Sequence, residues 1–160
     1  FGLGYKQEFE EFPSLAIGSY GDNLLNITNA YSAINNNGKI QSPEIIEKIE
    51  SFNDKSIWEN KSISKKILDL KINKKINKLL EKSVKEGTSK AASIKGKKIY
   101  GKTGTSDGNK DLWFIGSIDN LTTGIWIGYD DNKESELSSG NAAYLWKKFI
   151  SEIYKIPIKK

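Results

Sequence analysis

Residues 97–129 read KKIYGKTGTSDGNKDLWFIGSIDNLTTGIWIGY. Three short runs within this stretch, Lys97 to Thr103, Leu112 to Ile118 and Thr122 to Tyr129, are rich in β-branched and aromatic residues. Clusters of Gly, Asn, Asp, Ser and Thr separate them, which predicts three strands. The link at Asp119-Asn120 is short enough for an antiparallel hairpin, so the strands form a meander. A helix is predicted after it, from Ser139 to about Tyr154. It is expected to bury Ala142, Trp146, Phe149, Ile150 and Ile153, and Pro157 ends it.

Working back from the meander, the lysine-rich run from Lys61 to Lys85 carries an apolar stripe at Ile72, Ile76, Leu79, Leu80 and Val84. The stripe predicts an amphipathic helix ending at Gly87 and packing on the sheet. Ile45 to Glu50 and Ser56 to Trp58 flank an Asn53-Asp54 turn and predict a second hairpin. Leu24, Ile27, Tyr31 and Ile34 recur at helical spacing, with Asp22 or Asn23 to cap the start and Gly38 the end. Phe1 to Gly21 is expected to be irregular. Helices around an antiparallel three-strand meander define an α+β fold.

Composition narrows the chemistry. Cysteine and histidine are both absent from the 160 residues. Thiol catalysis, disulfides, imidazole-based triads and the common zinc sites are therefore excluded. Acid-base work falls to lysine, carboxylate and hydroxyl groups; no metal and no cofactor is expected. The net charge is +5, yet all 25 basic residues are lysine. Without arginine for bidentate phosphate and guanine contacts, a solvated face is the expectation and a nucleic-acid partner is not. The chain opens on Phe1 and contains no methionine, which suggests a processed product or a fragment. No apolar run approaches the ~20 residues that span a bilayer, so any anchor is expected to lie elsewhere.

Lys102-Thr103-Gly104-Thr105 carries the sharpest chemical signal. Gly104 has no Cβ and lets a substrate backbone approach closely. An edge strand there can pair with an extended peptide. Lys102 supplies fixed positive charge, Thr103 and Thr105 supply hydroxyls for a carboxylate, and the Thr105 N–H can serve as an oxyanion donor. On these four residues alone, a strand ending in a glycine turn with a solvated lysine is an equally good reading.

Segments elsewhere extend the signal. Phe1-Gly2-Leu3-Gly4, Pro13 to Ser19, Leu24 to Gly38, Glu86-Gly87-Thr88, Gly101 to Thr105, Asp111 to Gly116, Gly124 to Asp130 and Ser139-Gly140 occur in one order. That ordered series resembles the carboxy-terminal part of the transpeptidase domain of class A penicillin-binding proteins, within the superfamily that includes serine β-lactamases. The resemblance implies a partial β-lactamase/transpeptidase-like fold over 1–156, with 157–160 as a tail. It implies that a serine attacks the D-Ala-D-Ala end of a peptidoglycan stem peptide and that β-lactams trap the acyl stage. Lys102 becomes the electrostatic partner, Lys102 to Thr105 the substrate-binding strand, and Thr105 N–H the second oxyanion donor. The parent is then a membrane-anchored protein at the outer face of the bacterial cytoplasmic membrane, joined to a glycosyltransferase.

The family's Ser-x-x-Lys and Ser-x-Asn elements precede the segment matched by Phe1 to Gly4, so no nucleophile is expected in this chain. Ser62-Ile63-Ser64-Lys65 fits the first pattern in letters but lies too late in the order, and is read as a solvated helix start. Ser51-Phe52-Asn53 is read as a turn. Asp111 is expected to cap a loop, and Trp113 and Trp126 to pack in the core or line the cleft. A D,D-carboxypeptidase or serine β-lactamase relative, and a non-catalytic penicillin-sensing or scaffold domain, are the alternatives.

Overall fold

The structure is a computed structural model and describes residues 13–18 and 20–157. The Phe1 to Gly4 segment and Ser19 lie outside the described residues. A 3-10 turn at Pro13–Ile17 precedes helix α1, Leu24–Asn35. The Asn23 side chain accepts the Asn26 N–H at 2.9 Å and caps that helix. Gly38, at φ 81°, closes it, and its N–H reaches the Ala33 carbonyl at 2.8 Å.

Two small ladders follow. Strand β1 (Lys39–Ile40) pairs with a strand, here β4, at Lys65–Lys66. Between them β2 (Lys48–Glu50) pairs with β3 (Ser56–Glu59), turning through Asp54 at φ 56°. The predicted hairpin is present, with its first strand shorter than expected. Ser62–Lys65 is no helix start. Lys65 is held opposite Ile40 in the ladder, and Ser62 is exposed with its Oγ accepting from Gln41 Nε2 at 3.0 Å.

Helix α2 therefore begins only at Leu70, after Asp69, and runs to Glu86. Its 17 residues hold six lysines and two glutamates, a net +4 against +5 for the whole chain. Its stripe is narrower than the periodicity predicted: Ile72 and Leu79 are exposed, whereas Val84 and Asn73 are buried. The helix packs against β5 among the strands of the main sheet, and only a thin face of it is covered. Glu81 ties this contact together. Its carboxylate meets Lys85 at 2.7 Å and Lys98 at 3.7 Å, and Lys85 before Lys98 holds it below the usual carboxylate range.

The main sheet has the order β5 (Ile99–Thr105), β6 (Asp111–Ile118), β7 (Leu121–Gly128), all antiparallel. The hairpin at Asp119-Asn120 forms as predicted, with Asp119 at φ 50°. One face carries α3, Ser139–Ile153. There Phe114 meets Trp146 edge-to-face at 5.4 Å. Gly116 makes this possible, since a Cβ would lie 2.6 Å from Trp146 Cε2. Ala142, Ala143, Trp146 and Ile150 are buried, but Phe149 and Ile153 are exposed, contrary to expectation. Small residues bring α3 close to the sheet, and its buried face is limited to those four buried residues and Ser151. The other face carries α1, where Gly124 leaves room for Leu24 and Thr28.

Candidate active site

Strand β5 ends at Thr105, so Lys102-Thr103-Gly104-Thr105 forms its last four residues, at the end of the strand as expected and each paired with β6. It is also an outer strand, paired only with β6 among the described residues. The direction of its backbone follows from one bond. Ser106 N–H reaches the Asp111 carbonyl at 3.0 Å, and the register continues from the pair Thr105↔Leu112. In an antiparallel ladder alternate residues exchange bonds with the partner strand. Residues 102, 104 and 106 therefore bond inward. Gly101, Thr103 and Thr105 turn their N–H and C=O groups to the free margin.

Two side chains already use that margin. Ser89 Oγ donates to the Gly101 carbonyl at 3.4 Å, and Lys102 Nζ donates to the Thr103 carbonyl at 2.7 Å. Lys102 and Thr105 are exposed, and the Thr105 hydroxyl has no partner among the described residues. Gly104 is half-buried above Trp113, whose Cβ would lie 3.2 Å from an added Cβ. Thr103 differs from its neighbours. It is 5% exposed, and its Oγ1 lies 2.8 Å from Thr88 Oγ1.

By side-chain alternation Thr103 and Thr105 share one sheet face, while Lys102 and Gly104 share the other. The ammonium of Lys102 bends across the strand edge to reach its carbonyl. A margin-facing N–H at Thr105, the exposed Thr105 hydroxyl and the Lys102 ammonium thus lie along one short strand edge, with the buried Thr103 hydroxyl beside it. Such a margin suits an extended peptide that ends in a carboxylate. The basic α2 alongside β5 adds a positive field toward anions.

Sequence reasoning missed the support around this margin. Asp111 does more than cap a loop: its Oδ1 accepts Trp126 Nε1–H at 2.9 Å and its Oδ2 accepts the Ser106 hydroxyl at 3.1 Å. The Asp111 N–H in turn bonds Ser106 Oγ at 2.8 Å. This fixes the turn that follows Thr105, which carries positive φ at Gly108 and Asn109. Trp126 faces Trp113 across the ladder and is 38% exposed; Trp113 is half-buried. Neither tryptophan belongs to the buried core. Asp111→Ala should cost about 0.5–1.5 kcal/mol by removing the acceptor of both contacts, which water reaches in part. Asp111→Asn should recover part of that, as read by urea unfolding. Equal stability of all three proteins would refute the clamp.

Comparison with known proteins gives these features a family. Residues 4–148 match the family described as the penicillin-binding protein transpeptidase domain. Penicillin-binding protein 1A of Rickettsia prowazekii is 34% identical over 155 residues, covering 82% of this chain and 20% of that protein. Penicillin-binding protein 4 of Bacillus subtilis is 30% identical over 143 residues, covering 87% of this chain and 23% of that protein. The chain thus spans less than a quarter of the length of these relatives. Among solved structures, the PonA1 protein of Mycobacterium tuberculosis in complex with penicillin V superposes with a TM-score of 0.78 at 19% identity, over 92% of this chain and 42% of that one. With a matched order of segments, the same fold and an open Lys-Thr-Gly-Thr margin, the chain belongs to the penicillin-binding protein transpeptidase family.

Proposed function

We propose that this chain is the carboxy-terminal part of a peptidoglycan D,D-transpeptidase and contributes the substrate-binding strand of its active site. The observation that carries the reading is the outward turn of the Thr103 and Thr105 backbone at the free edge of β5, with Lys102 reaching over it. The stem peptide lies antiparallel along that edge. Its terminal carboxylate takes hydrogen bonds from the Thr103 and Thr105 hydroxyls.

A serine outside this chain attacks the penultimate D-Ala carbonyl. As the carbonyl oxygen gains negative charge, the Thr105 N–H donates to it. Collapse of the tetrahedral adduct breaks the peptide bond and expels terminal D-Ala with a proton on its nitrogen. The ester left behind passes its acyl group to an amine of a neighbouring strand, regenerating the serine hydroxyl. Lys102 holds positive charge beside the reacting groups. A β-lactam follows the same route as far as the acyl-enzyme, and the PonA1 relative binds penicillin V. The parent is read as a class A protein facing the periplasm, with its glycosyltransferase and membrane anchor in other segments.

Fluorescent penicillin tests this. The intact protein containing this chain should form a covalent adduct stable to denaturing electrophoresis, and residues 1–160 alone should form none. An adduct on the isolated chain, or none on the intact protein, would overturn the reading.

A further inference from the structure

We propose that Thr88 is a positioning residue: its hydroxyl turns the Thr103 proton toward the carboxylate of the bound peptide or β-lactam. The proposal rests on the reading of the β5 edge as the carboxylate site. It begins from a proton count. A threonine hydroxyl has one proton to give and two lone pairs to accept with. Thr88 Oγ1 and Thr103 Oγ1 lie 2.8 Å apart, and either can be the donor. Their mutual bond uses one of two protons and leaves one. Once Thr103 donates to a carboxylate, it can only accept across the 2.8 Å contact. Thr88 then becomes the donor, and the chain Thr88 O–H to Thr103 O–H to carboxylate is polarised in one direction.

The arrangement is held firmly enough to do this. Thr103 is β-branched, buried, and restricted at χ1. Thr88 is itself exposed but sits between two anchored residues. The Gly87 N–H bonds the Ser83 carbonyl at 3.0 Å. Ser89, fully buried, bonds Ser83 O through its N–H at 3.2 Å. Its hydroxyl lies 2.8 Å from Ser83 Oγ and 3.4 Å from Gly101 O, which ties the end of α2 to β5. Thr88 is thus pinned where α2 ends and the chain crosses the β5 edge.

The test uses the intact protein and two probes: benzylpenicillin, and its methyl ester, in which the carboxylate is masked. Thr88→Val should lower the second-order acylation constant for benzylpenicillin about tenfold, the upper end for a hydrogen bond between neutral groups, since Thr88 bonds Thr103 rather than the anion. Thr88→Ser should restore it to within about twofold, since the hydroxyl returns. For the ester, Thr88→Val should change the constant by less than about twofold, because no anion remains to be bound. Thr88→Val combined with Thr103→Val should be no slower than Thr103→Val alone. Equal losses on both probes, losses that multiply in the double variant, or no loss at all would overturn the proposal and leave Thr88 as a loop residue. Failure of the underlying site reading has a different signature: the unmodified protein would acylate with ester and free acid equally fast, and Thr103→Val would be silent.

Discussion

Exchanging Lys102 for methionine should lower penicillin acylation and strand crosslinking by the intact protein at least ~10²-fold, the scale of losing a charge-stabilising group from an acyl-transfer site. The same exchange should barely affect folding. Lys102 is exposed, and its ammonium contacts only the carbonyl of the next residue, Thr103, at 2.7 Å. Methionine keeps the stem that covers the strand and removes the charge. Surface exchanges of this kind stay within about 0.5 kcal/mol, so the melting temperature should move by no more than ~2 °C. Stopped-flow acylation and calorimetry on one preparation check both parts. Retained acylation would remove Lys102 from the site, and a collapsed melting transition would make it structural.

The largest loss of stability is expected at the opposite face of the sheet, from Trp146→Ala. Trp146 is fully buried and stands edge-to-face with Phe114, 5.4 Å between centroids. Its Nε1 has no partner among the described residues, so truncation strands no acceptor and the cost is that of an apolar void. Core aromatic-to-alanine exchanges cost about 3–5 kcal/mol, enough to remove much of the stability of an ordinary domain. Trp146→Phe should cost about half as much, because the ring edge against Phe114 and Gly116 is partly kept. Urea unfolding followed by circular dichroism measures both. A loss under about 1 kcal/mol for Trp146→Ala would mean that α3 is not the clamp on the sheet.

The strands and closing helix were legible because their residues speak locally. The β-branched and aromatic runs from Ile99 to Gly128, and the Asp119-Asn120 link, specify a meander with few alternatives. Four-residue periodicity did not reveal how much of a helix is covered. Ile72, Leu79, Phe149 and Ile153 satisfy the pattern and stand exposed, because burial depends on how closely and at what angle a helix meets the sheet. The Lys-Thr-Gly-Thr motif was likewise visible, but not which backbone groups face outward. That parity is set by Ser106 pairing with Asp111 across the turn. Thr88 and Thr103 lie fifteen positions apart. Gly87-Thr88 stood out as a matching segment, yet nothing in its letters assigned it a partner on β5.

An unpaired strand margin that welcomes a peptide also welcomes any other extended chain, including a second copy of itself. Two of its outward acceptors are engaged from within the molecule, Gly101 O by a buried serine and Thr103 O by a lysine. The serine contact is enclosed by its own loop, whereas the ammonium can swing aside. Lysine on such a margin guards against indiscriminate zippering between molecules while leaving one short berth to open. Neutralising Lys102 therefore removes a gatekeeper as well as a charge, and the expected penalty for its loss extends to solubility.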